Sequence, residues 1–109
     1  MKILKINNKD YVIKFTAGIV AELNDIEDIT LAKLSGDLEE MKVSRLYKTF
    51  FYSLKVMQHD ITLEQAYALI DAIYEEGMEL EELFKIILQE YATAMGLGKK
   101  FKEIMENQE

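Results

Sequence analysis

The chain has 109 residues, half of them apolar, with no cysteine, no proline and a formal net charge of −7. That is enough for one domain around one hydrophobic core, and it excludes disulfide frameworks, thiolate metal sites and thiol catalysis. No apolar run approaches the ~20 residues that cross a bilayer, and a net acidic chain repels phosphate backbones, so neither a membrane nor a nucleic acid is an expected partner.

Residues 3–6 and 11–15 are β-prone runs around Asn7-Asn8-Lys9-Asp10. Asparagine tolerates positive φ, so residues 1–15 read as a β-hairpin with a tight polar turn. In its second strand Tyr11, Ile13 and Phe15 share a face and Lys14 points the other way. A lone hairpin is marginal in water and needs something to pack on. The opening residues meet Asn7 too soon for a signal peptide, so the chain is expected to stay in the cytoplasm.

Every later pattern is helical. Ile19, Val20, Leu23 and Ile26 stripe a first helix, and Gly36-Asp37 reads as a break between short helical turns over residues 28–42. Ser44 is a candidate cap for a helix carrying Leu46, Tyr47, Phe50, Leu54 and Met57, with Phe51, Tyr52 and Val56 widening its stripe. That width predicts the centre of the core. Thr62-Leu63-Glu64-Gln65 is a capping box opening a helix whose inward face is Leu63, Ala66, Tyr67, Ile70, Ile73 and Tyr74, and which stops at Gly77. A further helix spans residues 79–95, with Leu80, Leu83, Phe84, Ile87, Tyr91 and Met95 inward and early glutamates at the positive end of its dipole. The fold class is therefore mainly α (α+β): an N-terminal β-hairpin followed by a compact bundle of four to five helices. Residues 1–98 form one domain, and residues 99–109 form a charged tail that a partner would order as a final helix.

The search for chemistry finds no catalytic, cofactor-binding or metal site. His59 stands alone, and one histidine without cysteine makes no ordinary zinc site. Glu39-Glu40, Glu75-Glu76 and Glu81-Glu82 are helix neighbours ~100° apart and do not face each other as a catalytic pair would. Glu75, Glu79 and Glu82 around Gly77 are a weak cation lure at most, and solvation is the simpler reading. Gly96 and Gly98 follow a helix, whereas a phosphate-cradling loop precedes one. The cluster Tyr47, Phe50, Phe51 and Tyr52 has the spacing of a packed interior rather than a cofactor pocket. Apolar residues left outside these stripes are more telling: Ile86 and Leu88 on their helix, and Phe101, Ile104 and Met105 in the tail. Surplus apolar surface marks a protein interface, so these five are the candidate partner-binding residues.

The order of features resembles the tail assembly chaperones of long-tailed phages and prophages of Gram-positive bacteria, over residues 3–98. The resemblance lies in Ile6-Asn7-Asn8-Lys9-Asp10-Tyr11 followed by Val12-Ile13-Lys14-Phe15, where the family commonly begins with an I-N-G-K-x-Y hairpin and Asn8 replaces its glycine. Leu23-Asn24 also fits, as does Thr62-Leu63-Glu64-Gln65-Ala66-Tyr67 with its run through Ile70-Asp71 to Glu75-Glu76-Gly77. The resemblance implies a non-enzymatic helper that binds the tape measure protein, recruits tail tube subunits around it, tends to self-associate, and leaves before the virion is mature. It implies no small-molecule substrate and a place in the cytoplasm of the bacterial host. Many genes of this family make a longer product by slipping back one nucleotide, and Gly98-Lys99-Lys100 is where a run of adenines would permit that.

Charge offers an alternative. Residues 59–98 carry nine carboxylates against Lys85. Such a segment is a solvated helix face, a dock for a basic partner, or the working surface of an acidic helical inhibitor or DNA mimic of phage origin. An enzyme ranks last, and its sign would be a preformed pocket holding His59 and several carboxylates.

Overall fold

In the computed structural model, which describes residues 1–106 and the side chains of residues 1–104, two strands come first: β1 (Lys2–Ile6) and β2 (Lys9–Ile13), antiparallel, with Ile6 opposite Lys9. Asn7 and Asn8 take φ of 53° and 65°. Positive φ at both central residues of a two-residue loop is the type I′ turn, whose twist matches the strands it joins. Alternation then puts Leu4, Ile6, Ile13 and Phe15 on one buried face, while Ile3, Lys5 and Lys14 face solvent.

Six helices follow: α1 (Ala17–Asp25), α2 (Leu31–Glu40), α3 (Ser44–Lys55), α4 (Leu63–Glu75), α5 (Leu80–Ala94) and α6 (Gly98–Glu106). The architecture is the expected hairpin plus helical bundle, with two more complete helices than the clearest stripes define. Thr16, Thr30 and Thr62 each accept a hydrogen bond from the amide three residues on, which satisfies a free N–H at the helix start. The Gln65 side chain accepts from the Thr62 N–H at 2.9 Å, completing the anticipated capping box. Gly77 and Gly96, at φ 108° and 77°, end α4 and α5. Beyond them the Met78 N–H donates to the Ile73 carbonyl and the Leu97 N–H to the Ala92 carbonyl, the six-to-one bonds of a Schellman ending.

Three local expectations need correction. Gly36 does not break a helix, because α2 runs straight through it to Met41, which closes the helix at φ 58°. What holds the segment helical is tertiary. Asp37, almost wholly buried, accepts two hydrogen bonds from the Arg45 guanidinium, at 2.7 and 2.6 Å, and this ties α2 to α3. Ser44 is the first residue of α3 rather than its cap; Val43 takes the cap position without a side-chain bond. Ile26, Met57 and Met95 are exposed because they lie just past the last packed turn of α1, α3 and α5, and Tyr67 stands at the rim against the Tyr47 ring.

The centre of the core is α3, as its wide stripe predicts. Leu46, Phe50 and Leu54 are fully buried, and the helix touches α1, α2, α4, α5 and β2. The buried hydroxyls of Thr49 and Ser53 donate back to the carbonyls of Arg45 and Phe50, so neither is left unsatisfied. Asn24 crosses the core surface, donating to the Ile29 carbonyl and the Tyr91 hydroxyl at 2.8 and 2.9 Å. The last helix folds back onto α5, and Phe101 packs against the core.

The Arg45 hydrogen bonds hold the Asp37 carboxyl below its usual range. A depressed folded value means that Asp37 contributes stability above pH ~4, its unfolded value, and that this contribution is lost as pH falls through the folded value. Asp37→Asn is expected to lose about 2 kcal/mol at neutral pH in urea melts. Its stability should also fall less steeply than that of the parent chain between pH 5 and 3. Equal slopes would show that the pair contributes nothing.

Candidate interaction surface

Where α5 turns into α6 the backbone is tight. A Cβ on Gly98 would stand 2.6 Å from the Thr93 hydroxyl and 3.1 Å from the Thr93 Cα, so a larger residue would have to turn the Thr93 side chain and push its backbone back slightly. The Gln89 side chain donates to the Gly98 carbonyl at 3.1 Å and fixes where α6 starts. Phe101, one turn along, is thereby delivered over α5 beside Ile86. With Lys2 from β1 and Lys85, Gln89 and Glu90 from α5, these two residues enclose an open groove of about 300 Å³. Its floor is apolar and its rim charged. The amino group of Met1 lies 2.9 Å from Glu90, and Lys85 lies 3.8 Å from Glu81.

Of the five residues expected at a partner surface, the structure brings Ile86 and Phe101 together. Both are half-buried, and Ile104, three residues on from Phe101, is 47 % exposed. Leu88 is a correction: it is 2 % exposed and belongs to the core. Two residues of helix turn the side chain by ~200°, so Leu88 points away from Ile86 and joins Phe84 and Tyr91 on the buried side. The Met105 side chain lies outside the described residues. Sequence reasoning missed Lys2, Lys85, Gln89 and Glu90. The alternation of Lys2-Ile3-Leu4-Lys5-Ile6 held part of the signal, since Lys2 shares the face of Leu4 and Ile6.

A second groove of about 510 Å³ lies between β2, the α3–α4 turn and α4. It is the larger of the two and holds His59, as the enzyme alternative requires, but Asp60 is the single carboxylate in its wall and no serine, threonine or cysteine lines it. Among the described residues no group of three or more histidine or acidic side chains is placed to hold a metal ion. No helix among them is long and apolar enough to cross a membrane. The carboxylates that gather in the open are Glu75, Glu76, Glu79, Glu81 and Glu82 around the α4–α5 turn. Two of them serve the fold: Glu76 accepts from the Asn7 N–H at 2.8 Å, and Glu82 from the Glu79 N–H at 3.4 Å. Between α1 and α3, Glu27 accepts from Lys48 at 3.0 Å and from the Tyr52 hydroxyl at 3.1 Å, and the Lys48 bond draws the Glu27 carboxyl below its ordinary range. Glu76, Glu82 and Glu27 are thereby tied into the fold.

No protein-family model matches this chain, and no curated protein or solved structure matches it.

The two sides of α5 should separate in thermal or urea unfolding. Leu88→Ala is expected to cost about 2–5 kcal/mol, the range for emptying a buried leucine site. Ile86→Ala, half in water already, should cost about 1 kcal/mol. Similar losses at both positions would mean that Ile86 is core rather than surface.

Proposed function

We propose that this chain is a non-enzymatic tail assembly chaperone of a long-tailed phage or prophage. It binds the tape measure protein, helps recruit tail tube subunits, and acts in the cytoplasm of the bacterial host before the virion is complete. The observation that supports it most is the surface around the α5–α6 junction, where Ile86, Phe101 and Ile104 lie outside the packed core beside charged neighbours. Apolar surface of this kind covers the apolar face of another chain, and the exposed carboxylates of α4 and α5 keep the protein dissolved while it waits. The hairpin lends support to the resemblance. Asn8 takes a left-handed φ at the position where the family usually has glycine, so the substitution preserves the turn.

Binding through apolar contacts and binding through charge respond differently to salt. The test is co-expression with the tape measure and tube proteins encoded beside this chain, followed by tagged capture at low and high salt. Capture should persist at high salt and fall about tenfold with Ile104→Asp, while the melting temperature stays within a few degrees because Ile104 is a surface position. Loss of all capture at high salt, with no effect of Ile104→Asp, would overturn the reading in favour of an acidic inhibitor working through the α4–α5 carboxylates.

A further inference from the structure

The two edges of the hairpin are treated differently. In a two-residue hairpin closed by the Ile6–Lys9 pair, cross-strand bonds recur at alternate residues. Leu4 and Tyr11 therefore bond each other, while Ile3 and Lys5 on β1 and Asp10 and Val12 on β2 aim their backbone N–H and C=O outward. On β2 the outward groups of Val12 are covered, and those of Asp10 beside the turn have no hydrogen-bond partner among the described residues. The Gln58 side chain accepts from the Val12 N–H at 2.9 Å and donates to the Val12 carbonyl at 3.0 Å, as a neighbouring strand would. Just past the strand the Lys14 N–H donates to the Ser53 carbonyl at 3.1 Å. On β1 the outward groups of Ile3 and Lys5 have no hydrogen-bond partner among the described residues. An open strand edge is a template for another strand.

The ground beside this edge is shaped for one. The groove floored by Ile86 and Phe101 meets β1 at Lys2, and a smaller one of about 150 Å³, walled by Met78 and Glu76, meets it at Leu4 and Ile6. A third strand would turn alternate side chains toward the helices ~7 Å apart, over the same two hollows. Charge selects the occupant. Lys5 stands on the outer face of β1 opposite Asp10, and Lys2 on the inner face near Glu90, whose carboxylate is paired with the Met1 amino group. Residues 1–15 carry four lysines against one aspartate. A second copy pairing edge to edge would bring four lysines together with no carboxylate on either strand, a recognised defence against self-pairing. A partner strand bearing carboxylates meets attraction instead.

We propose that the free edge of β1 receives an extended segment of a partner protein as a third strand, apolar on the side facing Ile86 and Phe101 and acidic on the outer side, beside Lys5. This rests on the reading of the chain as a protein-binding helper and specifies how it binds. Main-chain hydrogen bonds supply affinity in this mode, and the hollows supply specificity.

The probe is a blocked octapeptide of alternating valine and glutamate. It is compared with a valine–lysine version and with a valine–glutamate version N-methylated at alternate residues, which keeps the side chains and removes the pairing edge. The readout is amide hydrogen exchange of the full chain, resolved by residue in NMR spectra. The valine–glutamate peptide should slow exchange at Ile3 and Lys5 about tenfold, and neither control should do so. Equal protection by the N-methylated peptide, or none by any peptide, overturns strand addition. Equal protection by the lysine peptide overturns the charge selection. Protection that rises with protein concentration in the absence of peptide assigns the edge to a second copy and overturns the proposal. Because the probe is synthetic, failure here leaves partner capture in co-expression untouched, and failure of that capture leaves this result untouched.

Discussion

A two-stranded hairpin cannot hold itself together in water, and much of this protein is arranged around keeping one face of such a hairpin dry. Leu4, Ile6, Ile13 and Phe15 supply that face, and β1 and β2 rest it on α4 and α3. Hydrogen bonds pin the hairpin where apolar contact alone would let it slide. Gln58 grips Val12, Ser53 receives Lys14, and Glu76 holds the turn at Asn7. With the register fixed, Lys2 is carried to the middle of α5, where it closes the groove over Ile86 and Phe101. A one-residue slip would turn Leu4 and Ile6 to solvent and remove the groove together with the core.

Local chemistry explains what the sequence discloses. The Asn7-Asn8 turn, the Thr62–Gln65 capping box and the stops at Gly77 and Gly96 are each decided within a few residues by backbone rules, and they stand where those rules put them. The width of the stripe on α3 likewise revealed a helix touched from several sides. Where the reading failed, a distant partner decided the outcome. Gly36 survives inside α2 because Asp37 is held by Arg45, eight residues away, and no local pattern announces that pair. Leu88 looked surplus because the stripe of α5 was drawn too narrow. A helix with neighbours on two sides buries more than one stripe, and α2 and α3 both lie against α5. The contribution of β1 to the candidate surface was hidden for the same reason, since it depends on where the hairpin lands and not on what it is made of.

Acidic and apolar surfaces divide the labour. Carboxylates crowd the α4–α5 turn, and the α5–α6 groove and the β1 edge set Lys2, Lys5 and Lys85 beside Glu76 and Glu90 around apolar floors. On the proposed function, the exposed carboxylates contribute repulsion between copies and the apolar floors attraction to a client. The tightness at Gly98 fits the same scheme, because a firmly seated α6 presents Phe101 and Ile104 in one orientation and lowers the ordering cost of binding.

The most direct measurement is hydrogen exchange by mass spectrometry on the chain alone and in complex with a co-expressed tail protein. Binding should slow exchange in β1, the C-terminal half of α5 and α6, and leave the α3–α4 turn around His59 unchanged. Protection centred on His59 or on the carboxylates of the α4–α5 turn, with β1 and α6 exchanging as before, would contradict this.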